Sequence, residues 1–384
     1  MSKVLLVDTN ISSSPIYKFL LREGHQVAVM GGNPRDYLAR SAPWYIEGDY
    51  SNPDLLAATV KKHDFAYVVP GCNDRSYFAC AELNSLGKFP GIDSLAVTET
   101  LNNKQLFRAF AEANGLPVPK VYELDSCPLD SALIVKPVDA FSGRGVTILE
   151  RPEKNGLLDA MAFARAESRS SNCIIEDYVT GQLYSHTCFI RNERVVIDFV
   201  VEEHGTANPF VVDTSRVIFD FPDEILEKLR IHVEKMSDAL ALVDGLIHTQ
   251  FILRGADIWF IEVTRRCPGD LYSQLIELST GVAYAELYSR PFVKRSFPQS
   301  IASQSHNFIM RHTMSLSAES HLEHLQFTKP VRIERMYPMA LIGDRIRESP
   351  FSRIALLFIS AENQDELDEL FKCTLQRELY SIMQ

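Results

Sequence analysis

The sequence lacks several features that would assign it directly to a class of proteins. Its seven cysteines form no C-x-x-C pair and their number is odd, so reduced thiols are expected rather than a framework of disulfide bonds. No apolar run approaches the roughly 20 residues that a membrane-spanning helix needs, and no signal peptide is recognisable at the N-terminus. Lysine and arginine number 39 against 50 aspartates and glutamates, and the net charge of −11 argues against a role on nucleic acid or on a membrane surface. A cytoplasmic protein is expected.

Two common functional motifs are also missing. The turn after the first apolar run, residues 8–14, contains no glycine, so the G-x-G-x-x-G fingerprint of dinucleotide-binding domains is absent and a nicotinamide-dependent dehydrogenase is disfavoured. No G-x-S-x-G elbow indicates a hydrolase. His321 and His324 lie three residues apart, but no third metal ligand is near them, and a solvated helix face is the better interpretation.

The composition is that of a globular protein with sizeable cores. Hydrophobic residues make up 46% of the chain and charged residues 23%, and 384 residues are enough for two or three domains. Residues 3–8 and 25–30 are predicted to be buried strands on either side of a helix, and residues 54–63 and 65–70 add another helix and strand. This order predicts βαβ units with a parallel sheet at the N-terminus.

A polar turn follows the last of these strands. Ligands often bind at the carboxyl ends of strands in open α/β sheets, so Asn73, Asp74 and Arg75 are candidates for substrate contact. Capping of the next helix explains the asparagine and the aspartate at least as well, and both interpretations stay open.

Hydrophobic periodicity predicts the elements of the remaining chain. The predicted helices cover residues 98–114, 153–167, 223–243, 272–289 and 365 onward. The predicted strands cover residues 133–136, 146–149, 173–179, 184–190, 194–201, 245–253, 258–264 and 354–360. The polar segment 202–215 is predicted to be a mobile loop near a site, and the proline-rich residues 116–119 indicate a boundary.

The most informative stretch is residues 133–149. Its first apolar run ends on Lys136, and a Ser-Gly-Arg-Gly turn leads into a second apolar run, which predicts a strand, loop and strand. Gly143 and Gly145 allow the loop to turn its backbone N–H groups toward an anion, and Lys136 and Arg144 add positive charge. The stretch therefore predicts a phosphate-binding loop, with an ordinary glycine hairpin as the alternative if it is considered alone.

Two later strand ends complete a pattern with this loop. Residues 174–179 read Ile-Ile-Glu-Asp-Tyr-Val, and residues 260–266 read Phe-Ile-Glu-Val-Thr-Arg-Arg. A lysine before a glycine loop, followed by these two strand ends in this order, resembles the ATP-grasp superfamily, most of whose members join a carboxylate to an amine through an acyl phosphate. The resemblance covers roughly residues 3–290 and is to carbamoyl-phosphate-synthase-like and L-amino-acid-ligase-like members.

The resemblance implies a multidomain fold of α/β and α+β parts. A parallel-sheet βαβ domain would cover residues 1–95. An ATP-grasp fold, in which two α+β lobes clasp ATP, would cover 96–290, with a lid lobe over about 117–180 and a second lobe over about 181–290. A small C-terminal α/β subdomain would cover 291–384, where the sequence shows no chemical motif.

The nucleotide contacts of the superfamily fall on matching positions of this chain. By resemblance, Lys104 and Lys136 would hold the α- and β-phosphates of ATP, and Glu176 would accept the adenine amino group. The glycine loop that would close over the triphosphate comprises Ser142, Gly143, Arg144 and Gly145. The segment whose backbone would meet the adenine edge comprises Asp177, Tyr178 and Val179.

The resemblance also implies a metal and two catalytic residues. Glu262 would bind Mg²⁺, or Mn²⁺ in its place, since a carboxylate is a hard ligand for a hard cation. Arg266 would face the transferred phosphoryl group, and Lys136 would share in neutralising its charge. Arg265, on the opposite face if the strand continues, is expected to be structural.

Three positions depart from the pattern of the superfamily. Gln250 stands where a second metal carboxylate is usual, Thr264 replaces an asparagine ligand, and Leu183 replaces a ribose-binding glutamate. Amide and hydroxyl oxygens can still bind Mg²⁺ but bring no charge, so metal binding should depend more on the phosphates of ATP. Asp270 and Asp213 are candidates for compensating the missing charge.

Two functional hypotheses stay open. The first is an ADP-forming ligase that joins amino acids or small carboxylates to amines, with substrate pockets built from loops such as 202–215 and 266–290. The alternative is a nucleotide-binding, non-catalytic or regulatory protein, which Gln250, Thr264 and Leu183 favour. The expected partners are small-molecule carboxylate and amine substrates and, by analogy with the superfamily, a second copy of the chain in a homodimer.

Overall fold

Four parallel strands form a sheet at the N-terminus. The structure, a computed structural model, describes residues 1–140 and 143–383. Strands β1 to β4 cover Lys3–Val7, Gln26–Gly31, Tyr45–Glu47 and Tyr67–Pro70, and they lie in the order β3-β2-β1-β4. Helices α1 to α4 alternate with them over Ser14–Arg22, Tyr37–Ser41, Pro53–His63 and Asp74–Leu83. Because helical connections return the chain to the same end, the strands run parallel, which confirms the predicted βαβ units.

The single helix predicted over residues 98–114 is wrong. The chain forms two helices there, α5 over Leu95–Asn102 and α6 over Lys104–Ala113. Asn103 between them is extended, with φ −91° and ψ 117°, and its side chain accepts hydrogen bonds from two backbone N–H groups of α6. An asparagine that caps one helix ends the preceding one, because the capping residue leaves the helical conformation. The interruption makes Lys104 the first residue of α6.

A small antiparallel sheet follows. Its strands β5 to β8 cover Val121–Tyr122, Leu133–Pro137, Thr147–Leu149 and Cys173–Asp177, in the order β5-β8-β6-β7. Helix α7, Lys154–Glu167, covers one face. The buried side chains of this layer are Leu133, Val135, Leu157, Ala160, Met161, Ala164 and Ile175. β6 pairs with β7, so the two strands predicted within residues 133–149 are confirmed, while Phe141 and Ser142 lie outside the described residues.

An eight-stranded antiparallel sheet forms the largest layer. Strands β9 to β13 cover Gln182–Arg191, Arg194–His204, Thr214–Ile218, Gly245–Arg254 and Asp257–Thr264. Helices α8 to α10 cover Asp223–Leu240, Tyr272–Thr280 and Tyr284–Ser289. Strands β14 to β20 cover Ile309–Met314, Ser320–His321, His324–Phe327, Arg332–Pro338, Arg345–Ile346, Ala355–Ser360 and Tyr380–Met383, and helix α11 covers Gln364–Leu375. The sheet order is β13-β12-β9-β10-β11-β14-β19-β17.

The C-terminal part therefore continues the large sheet. Three of its strands, β14, β19 and β17, extend the sheet past residue 291, and α11 packs against β14. The domain boundaries predicted after residues 95 and 290 stay a prediction. The predicted solvent exposure of His321 and His324 is confirmed. The helix predicted for them is wrong, because they lie on the short strands β15 and β16. None of the helices in residues 1–140 and 143–383 is long and apolar enough to cross a membrane.

Part of the predicted loop 202–215 is strand. Residues 202–204 end β10 and residues 214–215 begin β11, so only residues 205–213 connect the two strands. Glu202 lies opposite Arg216, and its Oε2 is 2.8 Å from the arginine Nε. Because the two opposite charges pair across the strands, this polar sequence is compatible with a sheet. The polarity of the segment was therefore not sufficient to locate the strand ends.

One hydrophobic core joins the N-terminal sheet to the large sheet. It contains Leu6 of β1 and Val69 of β4 together with Tyr272 of α9 and Tyr288 of α10. The Tyr288 hydroxyl also donates a hydrogen bond to the carbonyl oxygen of Pro70 at 3.1 Å. This packing brings the start of α4 against the end of β13.

Candidate active site

Strands β12 and β13 place the predicted metal ligands side by side. Gln250 lies opposite Glu262, and His248 lies opposite Thr264. Residues that face each other across an antiparallel pair point to the same side of the sheet, so the four side chains share one face. All four line a cavity of about 190 Å³. The structure thus brings together the three side chains with a predicted metal role.

Lys104 connects this face to the phosphate loop. Its Nζ lies 3.3 Å from Oε1 of Glu262 and 3.3 Å from the carbonyl oxygen of Ala140. Its backbone N–H donates to the carbonyl oxygen of Val138 at 3.0 Å. Since Val138 and Ala140 lead into the glycine loop, the ammonium group stands between that loop and the proposed metal ligand. This position suits a cation that neutralises a phosphate.

Lys136 and Glu176 are buried together with an arginine that the sequence did not single out. Nζ of Lys136 lies 2.6 Å from one carboxylate oxygen of Glu176, and Nε of Arg108 lies 2.7 Å from the other. The Glu176 side chain is fully buried, and those of Arg108 and Lys136 are 2% and 7% exposed. Arg108 lies four residues after Lys104 on α6, a spacing that places both side chains on one helix face and that could have identified it.

Burial and the neighbouring charges shift the pKa values of Glu176 and Lys136. Burial alone would raise the pKa of the Glu176 carboxyl, but Lys136 and Arg108 hold that pKa below its ordinary value. Burial lowers the pKa of Lys136, the Glu176 carboxylate opposes this shift, and the charge of Arg108 adds to it. Glu176 is therefore held as a carboxylate between two cations, a form in which it can accept a hydrogen bond from an amino group.

Arg266 is held by Asp74, the first residue of α4. Its Nε and Nη2 each donate to a separate oxygen of Asp74 at 2.9 Å, which is the bidentate geometry of a guanidinium on a carboxylate. The Thr264 hydroxyl donates to the same carboxylate at 3.2 Å. Burial would raise the pKa of Asp74, but Arg266 holds it below its ordinary value. Asn73 caps α4 through the N–H of Ser76, so of this pair the aspartate reaches the site and the asparagine caps the helix.

The neighbouring arginines have other partners. Arg265 points into the core, where its Nε lies 2.7 Å from a carboxylate oxygen of Asp93 and both side chains are buried, as expected of a structural residue. Arg75 is half exposed and lies 3.2 Å from Asp49. Of the two consecutive arginines that follow β13, Arg266 lines the cavity and Arg265 does not.

Two further arginines reach the cavity from the C-terminal part of the chain. Arg311 of β14 donates from Nε to Ser215 Oγ at 2.9 Å and from Nη1 to the carbonyl oxygen of Asp270 at 3.1 Å. Arg353 forms an ion pair with the Asp270 carboxylate. With Arg266, three guanidinium groups therefore line the cavity. The sequence did not indicate Arg311 or Arg353, because both lie beyond the range that carries the motifs.

A buried glutamate also reaches the cavity. Glu203, near the end of β10, is 4% exposed, and its Oε2 accepts a hydrogen bond from Nε2 of Gln250 at 2.7 Å. Burial raises the pKa of Glu203, although Gln250, Ser185 and Arg311 oppose the shift. Beside it, burial and the charge of Arg266 lower the pKa of His248 to about 3, so this imidazole is neutral at pH 7. Sequence reasoning missed Glu203 because it placed the residue in a loop.

The backbone after Glu176 already has partners within the small sheet. The N–H of Asp177 donates to the carbonyl oxygen of Lys120 and that of Tyr178 to the carbonyl oxygen of Ala132, both at 3.0 Å. A contact between this segment and an adenine edge would therefore fall to its carbonyl oxygens or to Val179.

The glycine loop faces the segment 205–213. Gly143 and Gly145 have φ values of +68° and +72°, in the left-handed region that favours glycine. A Cβ atom on Gly143 would lie 2.4 Å from Cβ of Phe210, so the two backbones approach closely. Arg144 is exposed beside them. Ser142, the remaining predicted loop residue, lies outside the described residues.

We expect Gly143→Ala to weaken ADP binding by about tenfold, equivalent to about 1.4 kcal/mol. The added methyl group would overlap Phe210 and push the loop away from the site. Gly87 is the matched control, because it also has a positive φ, +64°, but no atom lies within 4 Å of its added Cβ. Calorimetric titration with ADP checks the expectation, and equal affinities for the two variants would contradict it.

The donor set fits a hard divalent cation that is bound mainly by nucleotide phosphates. The Glu262 carboxylate is 43% exposed, and the oxygens of Gln250 and Thr264 add neutral ligands. No group of three or more His, Cys, Asp or Glu side chains able to hold a metal occurs in the described part of the chain. Asp213 does not line the cavity, and one of its carboxylate oxygens accepts three hydrogen bonds from Thr206 and Ala207.

Comparison with known proteins identifies the fold. No protein-family model matches the chain. The L-amino acid ligase from Bacillus licheniformis superposes with a TM-score of 0.80 at 17% identity, over 100% of this chain and 98% of that one. The biotin carboxylase domain of the Hydrogenobacter thermophilus 2-oxoglutarate carboxylase, solved with MgADP and bicarbonate, gives a TM-score of 0.75 at 14% identity, over 100% and 90%. The chain has the ATP-grasp fold.

A sequence relative agrees with this ATP-grasp assignment. Formate-dependent phosphoribosylglycinamide formyltransferase of Prochlorococcus marinus (strain MIT 9303) is 26% identical over 272 residues, which is 65% of each chain. The match thus spans less than two thirds of that relative. The expected fold class, with a parallel N-terminal sheet leading into an ATP-grasp fold, is confirmed.

Proposed function

We propose that this ATP-grasp chain is an ADP-forming carboxylate–amine ligase. The main support is that Lys104 of α6 meets Glu262 at one edge of the β12–β13 hairpin, where Arg266 follows the same strand. They supply a cation for phosphate, a carboxylate for a divalent metal and a guanidinium beside a small cavity. Charge of both signs at one place is what transfer of a phosphoryl group to a carboxylate requires.

The reaction follows from these charges. A carboxylate oxygen of the first substrate attacks the γ-phosphorus of ATP, the bond from phosphorus to the ADP oxygen breaks, and an acyl phosphate forms. The amine then attacks the acyl carbon, phosphate leaves, and the amine nitrogen loses a proton. The side chains contribute mainly by positioning the reactants and neutralising charge. A bound Mg²⁺ or Mn²⁺ ion would supply further neutralisation of the phosphates.

Each proposed residue has a distinct task. Lys104 contacts the phosphates from the side of Glu262. Lys136 bridges Glu176 and the phosphates, since an ammonium group carries three donors and one of them is used on the glutamate. Arg266, fixed in orientation by Asp74, points its charge toward the transferred phosphoryl group. Glu262 would hold the metal together with the neutral oxygens of Gln250 and Thr264.

The cavity supports a small carboxylate as the first substrate. Its volume is about 190 Å³, and Arg311 and Arg353 bring two guanidinium groups to its lining. Guanidinium groups bind carboxylates in a directed, bidentate manner. The names of the relatives above refer to formate and amino acids, which are small carboxylates, and one was solved with bicarbonate, a small anion with a similar planar CO₂⁻ group.

Release of ADP and phosphate tests the proposal. Purified protein with Mg-ATP would be given a pool of amino acids and small carboxylates, with and without amines. Release that requires both substrate classes supports the ligase. If no pool causes release while ADP raises the melting temperature, the chain is a nucleotide-binding regulatory protein. The neutral side chains of Gln250 and Thr264, on the paired strands that carry Glu262, favour that second candidate.

We expect Glu262→Gln to lower ADP release by at least about 100-fold, because it removes the charged metal ligand at the exposed face of the hairpin. Asp257→Asn is the matched control, since Asp257 is an exposed carboxylate at the other end of β13. Initial rates of ADP release at saturating ATP measure the effect. A Glu262→Gln rate within threefold of the control rate would contradict a metal role for Glu262.

A further inference from the structure

Glu203 lines the proposed active-site cavity, but the proposed reaction assigns it no role. It lies on β10, while Gln250 and Glu262 lie on β12 and β13, yet its carboxylate lines the same cavity. Its neighbour Glu202 points to the opposite face of the sheet, where it pairs with Arg216. Glu203 instead turns inward, is 4% exposed, and makes a 2.7 Å hydrogen bond with Gln250.

This hydrogen bond determines which atom Gln250 presents to the cavity. Nε2 of Gln250 donates to Oε2 of Glu203, so the amide turns its NH₂ group toward Glu203. The amide oxygen of Gln250 is then directed away from Glu203. Because Gln250 lies opposite Glu262 on the paired strands, that oxygen and the Glu262 carboxylate share one face.

The arrangement also places a second negative charge close to the predicted metal site. Gln250 itself is neutral, and Glu262 is the charged member of the three predicted ligands. The Glu203 carboxylate lies one hydrogen bond behind the amide, and it lines the same cavity as Glu262. Groups that hydrogen-bond to a metal ligand orient it and strengthen its interaction with the metal.

We propose that Glu203 is a positioning residue that orients Gln250 as an oxygen ligand and supplies the negative charge that Gln250 lacks. This inference rests on the proposed function, in which a divalent cation binds with the nucleotide. Glu203 does not touch the cation. The pair of Glu203 and Gln250 together does what a single carboxylate at position 250 would do.

The role of Glu203 can be tested by a binding measurement that needs no catalytic turnover. The measured quantity is the ratio of the affinity for ADP in Mg²⁺ to the affinity in EDTA. Calorimetric titration gives both values for wild type and Glu203→Gln. A glutamine at 203 can donate as well as accept, so it neither fixes the orientation of Gln250 nor carries charge. We expect the Mg²⁺-to-EDTA ratio to fall about tenfold, the lower end for loss of such a partner, and the affinity in EDTA to stay within about twofold.

Two further variants separate positioning from folding. Glu202→Gln, on the same strand but the opposite face, should leave the ratio unchanged. The double variant Glu203→Gln with Gln250→Glu moves the carboxylate to position 250 and the amide to 203, which keeps the hydrogen bond and the total charge. It should restore the ratio to within about threefold of wild type, because either order places one carboxylate and one amide at the site.

The outcomes are distinct. An unchanged ratio for Glu203→Gln, or a double variant that folds but does not recover the ratio, overturns the role of Glu203 while the proposed function stands. If Glu203→Gln lowers the affinity for ADP equally in EDTA and in Mg²⁺, Glu203 has a structural role, and the inference is also overturned. A wild-type protein that binds ADP equally with and without Mg²⁺ removes the proposed metal site, and the inference with it.

Discussion

Arg266→Lys is expected to lower ADP release by about 10²- to 10³-fold and to leave the affinity for ADP nearly unchanged. The two guanidinium nitrogens that bind Asp74 fix the direction of the side chain, and a lysine ammonium cannot reproduce this fork. Since Arg266 is proposed to face charge that develops during phosphoryl transfer, its loss should affect the rate rather than binding in the ground state.

A comparison of kcat with the affinity for ADP tests this expectation. Arg75→Lys is the matched control, because Arg75 immediately follows Asp74 on α4 but is half exposed and pairs with Asp49. Asp74→Asn should give an intermediate loss of about 10- to 100-fold, since the arginine remains but its charged partner does not. An Arg266→Lys variant with more than a third of the wild-type rate would disprove the catalytic role.

Glu176→Gln is expected to lower the free energy of unfolding by about 3–5 kcal/mol, the usual effect of removing one partner from a buried ion pair. In the fully buried cluster the carboxylate lies within 2.7 Å of both Arg108 and Lys136. Without it, two cations would face each other away from water with no counter-charge. Urea unfolding in the absence of nucleotide measures the difference.

Two variants show whether this loss arises from uncompensated charge. Glu150→Gln is the control, because Glu150 is an exposed glutamate directly after β7 of the same small sheet. The double variant Glu176→Gln with Arg108→Met removes one of the two stranded cations, so it should recover roughly half of the loss. If Glu176→Gln alone unfolds within 1 kcal/mol of the control, the buried cluster contributes little to stability.

Local patterns in the sequence determined much of the architecture. The apolar runs at the N-terminus and the glycine turn within 133–149 were sufficient for the parallel sheet and the strands on either side of the loop, because hydrophobic periodicity and turn residues act over a few positions. The helix over 98–114 failed for a local reason as well. Asn103 is a strong capping residue, and its local effect outweighs the helical pattern on either side of it.

The order of the motifs was enough to indicate the ATP-grasp fold, although each motif alone was ambiguous. Lys104, Glu262 and Arg266 were identified individually in the sequence, and the structure places them at one edge of a hairpin. Their roles toward nucleotide and metal stay predictions, which the variants above test.

Only the tertiary structure decided how the charged groups are paired. Asp74 and Arg266 meet through packing of the N-terminal sheet on the large sheet, and Arg108 reaches Glu176 between a helix and a strand of another layer. Glu203 enters the cavity because its charged neighbours pair across β10 and β11, which draws a polar segment into the sheet. Such pairings depend on three-dimensional proximity between distant segments. The sequence shows which charged residues are present. The fold determines which of them lie close enough together in the low-dielectric interior to interact strongly.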